Sequence, residues 1–334
     1  MRTSRAISLL GSGLLVVLAG ASGCGATNPD AGTARKAPYA GPTDPLAKVA
    51  ADIDANNQQL PTIWASHYYE ATIVDPTTKK SSFVNGTGAL LYRRPLGFRL
   101  VGKKDVVGDV FEVGSTADHY WLKLVPDRDT LWFGEHKYAG RPCVQQIPIQ
   151  PNLVLEVLGV GLVGTDLMAA PAPVMRFNPD ADAYMMVWVS PAGGPAAGGG
   201  GGGTVGTGPA RLAAQREVWY DRATKLPKLV VLFDPDGRPV LRANLDKHKP
   251  VEVAGVPADR WPRLATEYKL YFPDTGSKMA FTLDEVALDR KGVPSRRGIV
   301  FPGATPDEAG VREVVKLDKN CTDSNRAADP SRAE

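Results

Sequence analysis

Residues 83–138 pass through four or five short segments rich in Val, Phe, Tyr, Trp and Leu. Each segment is closed by a turn signal: Asn85-Gly86, Pro95-Leu96-Gly97, Gly114-Ser115 and Pro126-Asp127. β-Branched and aromatic residues fit a pleated, half-buried surface, so short runs punctuated in this way predict a meander of antiparallel strands. Similar runs occur at 62–74, 175–189, 211–221, 226–234, 239–247, 264–272 and 278–288. No helical pattern separates successive strands. That excludes a doubly wound α/β fold and predicts a mainly β chain: one large curved antiparallel sheet of about eleven strands, a half-barrel, with two or three helices covering its concave face.

Two stretches carry helical signals. Leu46, Val49, Ala50 and Ile53 are at helical spacing, with Thr43 or Asp44 as cap, Pro45 in the first turn and Asn56-Asn57 at the end, so 45–57 is expected to be a short amphipathic helix. Residues 150–164 read QPNLVLEVLGVGLVG, with Asn152 as a cap and Glu156 as the one charge. A helix apolar on most of its circumference needs cover on most sides, so residues 152–161 are expected to plug the sheet.

The chain begins with Arg2 and Arg5, an apolar run at 7–18, and Ala21-Ser22-Gly23-Cys24. The apolar run is too short for a comfortable permanent span and has the layout of a signal peptide, 1–23. A small-residue cleavage site followed directly by Cys resembles the lipobox of bacterial lipoproteins. That resemblance implies cleavage before Cys24, acylation of its sulfur and near-permanent anchoring by several acyl chains. Gly25, in place of the Asp that retains enteric lipoproteins at the inner membrane, points to the outer membrane facing the periplasm. Residues 24–43 are small, polar and proline-bearing, a flexible tether. The folded domain is expected over 44–321 and a polar tail over 322–334.

Without Arg2 and Arg5 the chain carries 37 basic and 36 acidic side chains, and no basic stripe points to nucleic acid. Cys143 and Cys321 remain. Outside the cytoplasm two leftover cysteines commonly pair, and a bridge over so long a loop contributes roughly 5 kcal/mol at most. Two buried free thiols are the alternative. No metal site is expected, because no second Cys or His stands at ligand spacing. The run Gly198–Gly203, within a loop at 190–209, lacks the Gly-Lys-Ser/Thr ending of a phosphate loop and reads as a flexible hairpin tip.

The order of lipobox, tether, short helix, strands, apolar helix and further strands resembles the LolA/LolB-like superfamily of lipoprotein carriers and receptors, including the LppX/LprG-type lipid carriers. The residues that carry the resemblance are 86–100 (GTGALLYRRPLGFRL), 109–114 (DVFEVG) and Tyr120-Trp121-Leu122. It implies an incomplete barrel whose apolar hollow binds acyl chains. The glycine-rich loop and the long C-terminal region depart from the pattern. Candidates for the hollow are Trp64, Leu91, Phe98, Phe111, Trp121, Leu131, Leu155 and Leu158, each of which also reads as plain core.

Catalytic constellations were not found. His67, His119, His136 and His248 form no His-x-x-x-His or His-Glu pair, Ser115 has no nucleophile elbow, and residues 178–182 lack the Gly and distal Glu of a calcium loop. The expectation is therefore a non-enzymatic lipoprotein without cofactor that binds lipid or lipoprotein acyl chains in envelope transport. The alternative is an envelope scaffold lipoprotein with a self-filled core.

Overall fold

The computed structural model describes residues 37–321, apart from 76–77, 105–107, 126–128, 140, 142, 146, 148–150, 165, 168–171, 192–211, 235 and 289–298. The expected signal peptide 1–23, Cys24 and most of the expected tether, the run Gly198–Gly203 and the expected tail 322–334 lie outside the described residues.

Strand β1 (Thr62–Val74) alternates between two environments: Ile63, Ala65, His67, Tyr69 and Ala71 are buried, whereas Trp64, Ser66, Tyr68 and Glu70 are half-buried or exposed. This period of two defines an inner and an outer face for the whole sheet. Five strands follow β1 in a meander: β2 (Ser81–Arg93), β3 (Gly97–Lys104), β4 (Gly108–Ser115), β5 (His119–Leu124) and β6 (Thr130–Glu135). A second meander contains β7 (Ala172–Asn178), β8 (Ala183–Pro191), β9 (Leu212–Asp221), β10 (Pro227–Phe233) and β11 (Pro239–Asp246). A two-residue pair, β12 (Lys249–Pro250) and β13 (Arg263–Leu264), precedes β14 (Glu267–Phe272) and β15 (Ser277–Ala287). The last strand is β16 (Glu313–Lys316).

The sheet order is β16-β6-β5-β4-β3-β2-β1-β15-β14-β11-β10-β9-β8-β7. The meanders meet where β15 pairs with β1, and the sheet is not closed into a barrel. The expected fold class holds, with fourteen strands in place of about eleven. Residues 175–189 hide a hairpin rather than one strand, because Pro179–Asp182 turns the chain and Asp182 takes φ 48°. The sheet is mixed, because β16 runs parallel to β6.

Two of the expected turns are not turns. Asn85-Gly86 lies inside β2, opposite Glu70 and Tyr69, and Gly114 lies inside β4, opposite Trp121. Both glycines are there for close approach. A Cβ on Gly86 would sit 2.0 Å from the Lys103 carbonyl oxygen, and one on Gly114 would sit 2.0 Å from the Trp121 ring.

Helix α1 (Leu46–Asn57) forms where expected and buries Val49, Ala50, Ile53, Asp54 and Asn57. Its cap differs from expectation. Pro45 is the N-cap residue and makes no side-chain cap, while Asp44 accepts from Lys225 Nζ at 2.7 Å and holds the chain entry against Tyr184. The expected helix 152–161 shrinks to α2 (Pro151–Glu156). Gly159 takes φ +70°, which ends helical propagation, and the apolar run continues as irregular chain.

Topology explains where that run goes. Strand β6 is next to one end of the sheet, with only β16 beyond it, and β7 is at the other end. The connection between them must cross the sheet. Val144, Ile147, Val154, Leu155, Val157, Leu158 and Val160 all join the inner core, and α2 lies over β4 and β5.

After β15 the described chain resumes at Ile299. A four-residue helix, α3 (Pro306–Ala309), is closed by a Thr305/Glu308 capping box and by Gly310 at φ 60°. Strand β16 then covers the edge of β6. Leu317 enters the inner core, and Cys321 is bonded to Cys143.

Candidate functional site

The eight candidate residues do not share one space. Phe98 and Phe111, from β3 and β4, belong to the inner core together with Leu155 and Leu158 of the crossing segment. Trp121 and Leu131 project to the outer face. There they form a separate cluster with Phe133, Ala309 and Val311, under Ile299 and Phe301. The Phe301 ring lies 4.8 Å from His119, 5.8 Å from Trp121 and 5.1 Å from Phe133. Trp64 and Leu91 are cross-strand partners, also on the outer face. Their inner-facing neighbours are Ile63, Ala65, Leu90 and Tyr92, all buried. A shift of one residue along a strand exchanges the faces, so an apolar residue picked from an apolar run lands on the wrong side half the time.

The inner face and its cover form the candidate site. The cover comprises α2 and residues 157–163, and two side chains of α1 pin its second half. Asn57 Nδ2 donates to the carbonyl oxygens of Gly159 (3.2 Å) and Gly161 (2.8 Å). The Asp54 carboxylate accepts from Val163 N (2.7 Å) and Gly164 N (3.0 Å). Arg94 Nη2, just past β2, donates to Asn57 O at 2.5 Å and so fixes the end of α1. The first half is tied from β9, where Arg216 Nη1 donates to Glu156 Oε2 at 2.8 Å and its guanidinium stacks 4.0 Å from the Trp188 ring centre.

Asp54 and Asn57 were not among the sequence-derived candidates, although a signal was present. They follow Ala50 and Ile53 by four residues each, so two polar side chains continue the buried stripe of α1. Buried polar groups need partners, and the partners here are the backbone groups of an irregular segment.

On the inner face the buried polar atoms without a hydrogen-bond partner among the described residues include His67 Nδ1, Tyr69 Oη and Tyr268 Oη. Tyr69 and Tyr268 both pair with Phe281, from opposite sides, in one cross-strand row of the inner face. Burial raises the pKa of both phenols and lowers that of His67 to about 4. The His67 ring reaches across Gly88 to donate from Nε2 to Val101 O at 3.0 Å. A Cβ on Gly88 would stand 2.7 Å from that nitrogen.

The geometry offers little to catalysis. Ser115 Oγ lies 2.9 Å from His136 Nε2, within reach of a nucleophile and its base. Ser115 is fully buried, however, and its Oγ also reaches Thr116 O at 3.3 Å, so the pair is a closed structural contact. Glu112 accepts from Arg99 Nη2 (2.8 Å) and Trp121 Nε1 (3.0 Å) on the outer face, far in the sheet order from Glu285. Asn178 Oδ1 caps the turn at Asp180 and Ala181, and Asp182 accepts from Arg222 Nε at 2.6 Å. Among the described residues no group of three His, Cys, Asp or Glu is placed to hold a metal, and no helix is long and apolar enough to cross a membrane.

No protein-family model and no curated protein matches this chain. Solved structures similar to it include a DUF1329 family protein from Desulfovibrio piger, at 12% identity over 76% of this chain and 97% of that one, with a TM-score of 0.43. A LolA superfamily protein from Nitrosomonas europaea is 8% identical over 74% and 96%, with a TM-score of 0.41. A putative outer membrane lipoprotein-sorting protein domain from Vibrio parahaemolyticus is 12% identical over 72% and 90%, with a TM-score of 0.38.

Proposed function

We propose that the protein is a lipid-anchored envelope protein that binds acyl chains of lipids or lipoproteins on the inner face of its sheet, with residues 151–163 as a displaceable cover. The observation that carries this reading is the mismatch between what the cover buries and how it is held. It fills an apolar face that runs the width of the sheet, yet its second half is pinned by two α1 side chains through four hydrogen bonds. An acyl chain replaces the cover's apolar contacts like for like, so the exchange costs little beyond those polar ties. Tyr69, Tyr268 and His67 supply polar points at which an ester or carboxyl group can pair.

The scaffold reading has its own support, because Val154 and Val157 are fully buried and Leu158 nearly so. Asp54→Ala separates the two. Removing the carboxylate leaves Val163 N and Gly164 N without it and lowers stability by about 2 kcal/mol. If the cover gives way to ligand, the same variant binds a fluorescent fatty acid about tenfold more tightly, because its open state is more populated. Equal affinity alongside the lost stability favours the self-filled core. A wild-type protein that carries no co-purified lipid and binds no acyl probe defeats the acyl-chain reading.

Membrane attachment through Cys24 and an outer-membrane, periplasm-facing location belong to the same proposal. No catalytic role is part of it. Cys24→Ala is expected to move the protein from the membrane fraction to the soluble fraction, and retention in the membrane would count against acylation there.

A further inference from the structure

One end and the middle of the outer face are treated differently. Over β4, β5 and β6 it is covered by the C-terminal segment through Phe301, Ala309 and Val311. Over β1, β2, β11, β14 and β15 a groove of about 780 Å³ is open on that face. Its walls include Phe83, Tyr271, Lys269 and Lys278. Phe83 is 64% exposed and Tyr271 is 42% exposed, and Tyr68, two rows along the sheet and just outside the groove, is also 42% exposed. Aromatic rings are costly to leave in water, and three on one face within the four neighbouring strands β2, β1, β15 and β14 make a patch rather than scattered surface residues.

Charge is ordered along the same strands. One cross-strand row reads Arg242, Tyr271, Lys278, Thr72, Phe83, and the next reads Asn244, Lys269, Ala280, Glu70, Asn85. Among the described residues none of Arg242, Lys269 and Lys278 has an ion-pair partner. Some exposed basic residues elsewhere are paired, Lys48 with Asp52, Lys247 with Glu267 and Arg312 with Asp129, while Lys80, Lys249, Arg260 and Lys319 are, like the groove's three, without an ion pair among the described residues; what sets the groove apart is that its cations stand beside exposed rings. Glu70, the one carboxylate in the groove, accepts from Tyr68 Oη at 3.1 Å. The carboxylates of Asp246 and Glu267 start only in the third row, outside the groove. Unpaired cations beside half-exposed Tyr and Phe are the composition that sits at the interface of an anionic bilayer, where the rings reach headgroup depth and the cations meet phosphate.

We infer that this part of the outer face is a docking surface for an anionic membrane, so that the protein lies with β1, β14 and β15 against the headgroups. The inference is independent of what occupies the inner face.

The test is lysine footprinting of the full chain on phosphatidylcholine vesicles with and without phosphatidylglycerol. An acetylating reagent is used with mass-spectrometric readout, and the vesicle-bound fraction is measured in parallel. Acetylation of Lys269 and Lys278 is expected to fall roughly threefold on the anionic vesicles. Lys48 on α1 and Lys316 on β16 serve as unprotected controls. The double variant Phe83→Ser/Tyr271→Ser is expected to lose the protection, since its substituted positions are on the surface and the fold does not depend on them. Equal labelling of Lys269 and Lys278 on both vesicles overturns the inference. Protection that grows with protein concentration in the absence of vesicles also overturns it, by assigning the face to a contact between copies of the chain.

Discussion

Acidifying the protein from above pH 6.5 to about pH 4 is expected to remove about 3 kcal/mol of folding stability through His67 alone. His67 is buried on the inner face, and burial depresses its pKa from 6.5 to about 4. In the unfolded chain the ring takes up its proton as the pH falls through 6.5. In the folded protein it stays neutral until about pH 4. Within that window the unfolded state binds more protons, so stability falls as the pH falls, and the loss levels off once the folded form is also protonated. His136 and His248 are pushed in the same direction by burial and add to the effect. The carboxylates with depressed values, Asp44, Glu135, Asp221 and Asp234, start from ordinary carboxylate values of 4.5 or below, so their contribution is lost at lower pH than that of the histidines. Urea unfolding near both ends of the window measures the difference. In His67→Leu the acid-induced loss should shrink by about 3 kcal/mol, whatever the variant does to stability at neutral pH. An unchanged pH dependence in that variant would show that His67 is not the group responsible.

His67 also shows why the sheet was legible and its interior was not. Residues 62–74 could be read as a strand to the residue, because β-branched and aromatic side chains alternate between Leu60-Pro61 and Asp75-Pro76. Which of the two faces was inner could not be read, because Trp64, Tyr68 and Leu91 on the outer side are as apolar as Ile63, Tyr69 and Leu90 on the inner. Glycine misled in the opposite direction. Asn85-Gly86 has the composition of a hairpin turn, but Gly86 lies opposite Tyr69 within a thirteen-residue strand, where a side chain would meet the Lys103 carbonyl. Turn and close approach both call for a missing Cβ, and local sequence does not separate them. The apolar run at 150–164 was correctly expected to cover the sheet. Its helical form was not obtained beyond Glu156, because a segment apolar on every side needs no helical period to be buried, and Gly159 can leave the helix at little cost. The C-terminal segment was the least legible. Strand β16 owes its place to the open edge of β6 rather than to any pattern in four residues.

That segment carries the largest expected effect. Cys143 and Cys321 are bonded across a sequence separation of 178 residues, so the bridge restricts the unfolded chain over more than half its length. Loop entropy puts its contribution at about 5 kcal/mol at most, less whatever compactness the unfolded chain retains. Paired substitution of both cysteines by Ser is therefore expected to lower stability by about 3–5 kcal/mol, more than any single residue discussed above. The loss should also have an address. Cys321 ends a segment that buries Trp121, Leu131 and Phe133 on the outer face, pairs β16 with β6 and sends Leu317 to the inner core. Without the bridge this segment is held by its apolar cluster and by short-range polar contacts: four parallel strand residues, the Lys123–Ala309 hydrogen bond, the Glu135 N–Asp318 hydrogen bond, the backbone bonds of Leu317, and the exposed Arg312–Asp129 and Lys316–Glu135 pairs. It should open below the global transition. The amides of Val314 and Val315 should then exchange with solvent faster than those of β1, and Trp121 should become accessible to a soluble quencher while the rest of the sheet is still folded. A double variant that unfolds in a single step, with Trp121 shielded up to that step, would show that packing under Phe301 holds the segment without the disulfide.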